Sequence, residues 1–332
     1  MAKNSNLHKA KSAKQDEFYT QLTDIEKEMV YYKDYFRGKT IYCNCDDARE
    51  SNFFKYFSLN FEHLGLKKLI TTGYKAEGKG VVLIYEGDKN GNRRVDDNEI
   101  VVKELNGNGD FRSSECIEYL KEADIVITNP PFSLFREYVA QLMEYNKKFI
   151  IIGNMNAITY KEIFPLIKNN QLWLGASGFK DMAFKVPSTY EEKSVRFWID
   201  NNGQRWRSLG NGCWFSNVEH KRRNEYLDLY KKYNEKEFPK YDNYNAIEVS
   251  RVENIPMDYN GIMGVPITFL FKYCPTQFEI VGFFNNYKPE TAGDGQIYGT
   301  PVKVATTKSL FRGPVVNGKA TYFRILIKRK VS

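Results

Sequence analysis

The chain is poor in the residues that several chemistries require. Its three histidines, His8, His63 and His220, are too few and too dispersed for a zinc site or a His-based relay. The five cysteines are scattered and odd in number, which suits reduced thiols in a cytoplasm and not a disulfide framework. No apolar run approaches the ~20 residues that span a membrane. The opening MAKNSNLHKAKSAKQ lacks the apolar centre of a secretory signal. No membrane partner and a cytoplasmic location are therefore expected. The first apolar strand ends in CNCDDARES and not in Gly-x-Gly-x-x-Gly, so the glycine cradle of a dinucleotide or a nucleoside triphosphate is missing.

What is abundant points elsewhere. Over 332 residues, Lys plus Arg exceed Asp plus Glu by 49 − 41 = 8. The excess is clustered: Lys3, Lys9, Lys11 and Lys14 precede the first acid, Asp16, and further groups stand at HKRR, with Arg222 and Arg223, and at Lys328 to Lys330. Such clusters fit a polyanion, and the 15% of aromatic residues could stack on bases.

From Asp16, apolar residues recur at helical spacing (Leu22, Ile25, Met29, Tyr32, Phe36), and Gly38 stops the helix. Strand-like runs KTIYCNC, KKLITTGY, ADIVIT and KKFIIIGN then alternate with helical segments, which predicts an α/β protein on a parallel sheet. Short pieces LWLGAS, MAFKVP and CWFSN could close that sheet. Around Asn90-Gly91 two strand-like runs predict a hairpin inserted at about 80–105. DKNGNRRVDDNE there places Asp88, Asn90, Asn92, Asp96 and Glu99 at calcium-loop spacing. Arg93 occupies the position that needs glycine and the flanks are strand-like, so no metal site is expected; Arg93 and Arg94 are candidate DNA contacts instead. The organisation predicted is a basic arm (1–15), a catalytic domain (16–218) and a turn-rich, aromatic region (219–332).

ITNPPF is the most informative stretch. A buried strand runs into two residues that cannot donate a backbone hydrogen bond, which fixes the loop at the strand's carboxyl end, where α/β sheets bind ligands. An exocyclic aromatic amine such as adenine N6 is a poor nucleophile because its lone pair is delocalised. Two acceptors on its hydrogens, the Asn129 side-chain oxygen and the Pro130 carbonyl, would favour a pyramidal nitrogen, with Pro131 fixing the loop and Phe132 stacking on the base. In-line attack on a methyl sulfonium would follow from positioning and fixed dipoles. S-adenosyl-L-methionine carries no phosphate, so the first-strand loop suits it: Cys43 and Cys45 are small residues at a tight strand end, and Asp46 or Asp47 could hold its ammonium or ribose. In NGDF, Asp110 could accept from the cofactor's adenine amine while Phe111 packs on its face. RNA guanine-N2 and protein glutamine are other amines served by such loops, and a nucleic-acid-binding module with an inactive loop is the reading from a different class.

DEFYTQ, YCNCDD, SNFFKYF, LGLKKLI, GDFRSSE, TNPPFSLFREY, ITYKE, DYNGIMGVPITFL and the closing YFRILIK resemble the EcoRI-type adenine-specific DNA methyltransferases from end to end. The resemblance implies a class-I, Rossmann-like doubly wound fold with a C-terminal target-recognition region. It implies transfer of a methyl group from S-adenosyl-L-methionine to a flipped-out adenine N6 in double-stranded DNA, in a restriction–modification system. By it, Tyr19 and Thr20 match a cofactor-contacting segment, Cys43 to Asp47 the first-strand loop, Asp110 and Phe111 the third tip, and Asn129 to Phe132 the catalytic motif. Many such enzymes carry an acid for the ribose at the second-strand tip; this chain has Thr72-Gly73-Tyr74, with Thr72 the candidate contact there. One polypeptide is expected to act as a monomer, with any cognate endonuclease not stably bound.

Overall fold

In a computed structural model the described residues are 19–44, 47–178, 182–186, 196–208, 210–286, 294–304 and 310–330. They form a mixed α/β protein of two compact units, the first taking the chain up to Ala157 and Leu174–Glu219, the second Ile158–Trp173 and the chain from His220 on. The segment Ile158–Trp173, which the sequence places in the catalytic domain, thus groups with the second unit. Among the described residues no helix is long and apolar enough to cross a membrane.

The first unit is built on the strands β1 Thr40–Cys43, β2 Lys68–Gly73, β3 Val81–Tyr85, β4 Ile100–Glu104, β5 Ile125–Thr128, β6 Lys148–Asn154, β7 Trp173–Leu174, β8 Ala183–Lys185, β9 Phe197–Ile199, β10 Arg205–Ser208 and β11 Gly212–Ser216. Eight of them make one sheet in the order β4-β3-β2-β1-β5-β6-β11-β7. β1, β2, β5 and β6 run parallel, while β3, β4 and β11 pair antiparallel with their neighbours. β1 and β5 are buried at every residue, as continuous apolar strands of a covered parallel sheet should be. LWLGAS and CWFSN enter this sheet as β7 and β11. MAFKVP does not: β8 lies in a separate three-stranded sheet ordered β8-β10-β9.

The amphipathic N-terminal segment folds as the helix Leu22–Met29, a 3-10 turn and a last turn Lys33–Phe36, with Ile25, Met29, Tyr32 and Phe36 all fully buried. Its one buried acid is Glu28. The carboxylate accepts from the amides of Ala176 (2.7 Å) and Ser177 (2.8 Å) and from the Tyr32 hydroxyl (2.8 Å). Gly175 allows this approach, since a Cβ there would stand 2.4 Å from Glu28 Oε1. Burial pushes the Glu28 pKa up, and the donors from Ser177, Tyr32 and Ala176 act against it.

The hairpin β3–β4 exists, but Asn90-Gly91 is not its two-residue turn. Residues 86–99 close on themselves, with Asp88 accepting from the Gly91 and Arg93 amides and Glu99 from those of Lys89 and Asn90. Arg93 takes a φ of 62°. Among the described residues no group of three or more His, Cys, Asp or Glu could hold a metal ion.

At the other end of the sheet Gly109 has a φ of +84°, and a Cβ on it would stand 2.3 Å from the Gly73 carbonyl oxygen. Left-handed backbone and close approach both require glycine. Gly109→Ala is expected to lower stability by about 2 kcal/mol, read as a drop in urea midpoint at unchanged m; an unshifted midpoint would show that this tip yields freely.

The second unit carries a six-stranded sheet whose centre pairs β14 Met263–Val265, β19 Arg324–Arg329 and β15 Phe278–Phe284 antiparallel. On β13, Tyr244–Glu248, Glu248 meets the Arg324 guanidinium at 2.6 Å and accepts from the Tyr241 hydroxyl.

Candidate active site

From β1 the chain moves to β2 on one side and later to β5 on the other, so the strand order reverses between β1 and β5. In an open α/β sheet a crevice opens outside the carboxyl ends at such a reversal. Asn129 and Pro130 follow β5 there, both buried, with Asn129 7% exposed. Pro131 and Phe132 are half-buried, and the Pro131 carbonyl accepts from the Leu134 amide at 2.9 Å, which curls the loop into a 3-10 turn. The Phe132 ring stands edge-on to Phe184 of β8, centroids 6.4 Å apart.

β8 also draws in the N-terminal segment. Tyr19 and Lys185 exchange backbone hydrogen bonds of 3.0 and 3.2 Å. Thr20 is 2% exposed, and Asn52 Nδ2 donates to its carbonyl at 2.7 Å. The Thr20 hydroxyl is buried and has no hydrogen-bond partner among the described residues. A buried hydroxyl left without a partner is costly, and a bound polar ligand would satisfy it.

The tips of β2 and of NGDF meet: the Lys75 amide donates to the Asn108 carbonyl at 2.8 Å, beside the Gly73–Gly109 approach. Arg112 donates to both Asp110 oxygens, at 2.8 Å from Nε and 2.6 Å from a terminal nitrogen. Arg112 beside Asp110 holds that carboxyl below the usual carboxylate range, so Asp110 is an ionised acceptor at neutral pH. Phe111 is buried, its ring 5.0 Å from that of Tyr138 and near perpendicular.

Other expectations meet different surroundings. Cys43 is buried in the core under the sheet, as a small strand-end residue and not as a wall of the crevice. Asp47 caps the following turn, accepting from the amides of Arg49 (2.9 Å) and Glu50 (3.1 Å). Thr72 is fully buried and its hydroxyl lies 2.8 Å from that of Tyr42, so its side chain is engaged inside the sheet and does not line the tip. Arg93 and Arg94 are exposed, but the register (Gly73 opposite Val81, Tyr85 opposite Leu69 and Ile100) sends residues 86–99 from the end where the parallel strands begin, opposite Asn129. The structure does not bring them to the crevice. Arg223 is buried, its guanidinium 3.8 Å from the Trp173 ring centre, which corrects its reading as a surface cation; Arg222 is exposed. Cys45, Asp46, Lys9, Lys11 and Lys14 lie outside the described residues.

Three further residues complete the arrangement; Asn44 and Glu137 stand inside the stretches YCNCDD and TNPPFSLFREY, but nothing local assigns them a partner. Asn44, 2% exposed, receives hydrogen bonds from the hydroxyls of Thr128 and Tyr138. From the helix Phe135–Glu144, which follows the Asn129 loop, Gln141 donates to the Phe111 carbonyl at 3.2 Å. Glu137 on that helix meets Arg112 at 3.1 Å.

The family described as "Adenine-specific methyltransferase EcoRI" matches residues 6–330. Among similar proteins, the type II methyltransferase M.EcoRI of Escherichia coli is 48% identical, over 99% of this chain and 98% of its own length. The type II methyltransferase M.MgeORF184P of Mycoplasma genitalium is 40% identical over 98% of this chain and 99% of its own. M.MpnI of Mycoplasma pneumoniae, also a type II methyltransferase, is 38% identical over 98% of each.

Proposed function

The chain belongs to the EcoRI family of adenine-specific methyltransferases, and from that membership we propose that the crevice between β1 and β5 methylates adenine N6. The enzyme is an adenine-specific DNA methyltransferase of the type II restriction–modification kind. The class-I fold, the use of S-adenosylmethionine and a flipped adenine of duplex DNA as substrate are our reading. The observation that carries it is the seating of Asn129 and Pro130 at the strand reversal.

The residues present fit this cofactor's chemistry: the buried Thr20 hydroxyl, without a partner among the described residues, is a group that a polar ligand would satisfy, ionised Asp110 is an acceptor and Phe111 an apolar ring. S-adenosylmethionine, when bound, supplies an activated methyl group. Thr20 and Asp110 would hold it, and Phe111 would pack on its adenine. Asn129 Oδ1 and the Pro130 carbonyl would accept hydrogen bonds from the two N–H groups of the substrate amine and turn its lone pair outward, and the proton that the methylated nitrogen sheds would pass from there to water. Positioning and fixed dipoles then lower the barrier without a strong base. Arg222 and the lysines of the N-terminal arm would bind phosphate. A monomer acts on one strand per event, and a cognate endonuclease need not be stably bound.

Transfer of labelled methyl to duplex DNA, with none to RNA or protein, and N6-methyladenine in the digested product test this reading. Label in RNA guanine or protein glutamine would replace it.

Adenine must leave the stack to reach the crevice, at a few kcal/mol of lost pairing and stacking. Phe132 would recover roughly 1–3 kcal/mol. A fluorescent adenine analogue at the target position is expected to brighten on binding, and less so with Phe132→Ala. That variant should lose methylation rate by about tenfold or more while duplex affinity stays within about threefold, since phosphate contacts set most of the affinity. An analogue that stays dark on a duplex that is still methylated would defeat the extrusion step.

A further inference from the structure

Where β1 and β5 part, a side chain continues what the backbone stops. The ladder between them pairs Ile41 with Ile125 and Tyr42 with Val126. Carried forward in the same register, it sets Asn44 opposite Thr128. There the Thr128 hydroxyl donates to the Asn44 carbonyl, and the Tyr138 hydroxyl donates to the Asn44 side-chain oxygen. All three residues are buried, Thr128 and Tyr138 completely.

Each contact joins parts with different tasks. Asn44 opens the first-strand loop. Thr128 immediately precedes Asn129. Tyr138 packs its ring on Phe111 while its hydroxyl holds Asn44. The two walls of the crevice and the Phe111 tip therefore share one buried polar junction, and a satisfied buried network specifies a single arrangement of its members.

We propose that Asn44 is a positioning residue that couples cofactor capture to the placement of Asn129, acting through the hydroxyls of Thr128 and Tyr138. The proposal rests on the function inferred above. A cofactor that bears on the β1 and Phe111 tips bears through this junction on the end of β5 as well, so its binding and the placement of the target adenine are linked. By linkage, adenine in the crevice tightens cofactor binding by the same factor.

The test uses Thr128→Val, which keeps shape and removes the hydroxyl, Thr128→Ser, which restores it, and Tyr138→Phe, which keeps the ring on Phe111. The affinity of the full-length enzyme for S-adenosylhomocysteine is measured by calorimetry with and without a duplex bearing its methylation site, mapped by sequencing DNA modified by the wild type. The wild type is expected to bind the probe at least about tenfold more tightly with the duplex, within the usual range of coupling between sites. In Thr128→Val and Tyr138→Phe that factor should fall to within about twofold of one, with affinity in the absence of DNA changed by less than about threefold. Their kcat should fall at least about tenfold at nearly constant KM for the cofactor, as for an interaction used in the transition state. Thr128→Ser should recover both. A wild-type factor near one, or wild-type coupling and kcat in Thr128→Val, overturns the proposal. So does a loss of probe affinity without DNA that matches the loss with it, which would mark a merely structural contact. Absence of adenine methylation by the wild type would instead overturn the underlying function.

Discussion

Asn129→Ala is expected to slow methyl transfer by about three orders of magnitude, the upper range for removing one preorganised polar group from a reacting centre. The side chain is buried at the end of β5, in a loop fixed by two prolines, so no neighbour can move in to replace its oxygen without rebuilding that loop. The loss should appear in single-turnover rate, with cofactor affinity within about tenfold of wild type, because the amine acceptor acts mainly in the transition state. Asn129→Asp keeps an acceptor oxygen and should exceed Asn129→Ala by at least about tenfold. Turnover of the alanine variant within tenfold of wild type would rule out the amide as acceptor.

Glu28→Ala should be strongly destabilising, on the order of 4 kcal/mol. It strands the Ala176 and Ser177 amides and the Tyr32 hydroxyl and leaves a cavity where all three converge. Glu28→Gln separates charge from shape. Burial raises the folded pKa above the ordinary 4.5, so the neutral carboxyl is the form that folding favours. Its stabilising contribution is fully present below 4.5 and is lost as pH rises through the raised folded value. Wild type should therefore lose stability relative to Glu28→Gln as pH rises from about 4.5 towards 8, measured as urea midpoints of both proteins. A constant difference across that range would mean that Glu28 does not titrate between the two states.

The parts of this protein written in local pattern were legible in its sequence. The helix whose residues Ile25, Met29, Tyr32 and Phe36 recur at helical spacing buries those four side chains, and Gly38 ends it with a φ of 70°. The apolar run before Asn129 is β5, and the polar break after it is the loop at the strand reversal. Long-range pairing was not legible. Tyr138 and Asn44 are 94 positions apart, and although they stand inside the stretches TNPPFSLFREY and YCNCDD, nothing local marks one as the partner of the other. Thr72 reads as a strand-tip residue, but the strand's alternation turns its hydroxyl to Tyr42. Asn90-Gly91 reads as a tight turn, yet carboxylates at positions 88 and 99 gather the neighbouring amides and hold a wider loop. Arg223 reads as a surface cation because composition cannot show that Trp173 lies beneath it.

The helix Phe135–Glu144 has a practical consequence for exchanging parts between relatives. Glu137, Tyr138 and Gln141 clasp Arg112, the Phe111 ring and the Phe111 carbonyl, so this helix and the GDFR tip are fitted to each other. A chimera that takes residues up to Phe132 from one parent and the helix from another divides that fit, and its two halves would meet with mismatched side chains. The workable crossover lies after Glu144, in the turn before β6, where the donor's tip and helix travel together; Lys147 in that turn donates to the Lys121 and Ala123 carbonyls and accepts from Asn217, so those partners have to match across the junction.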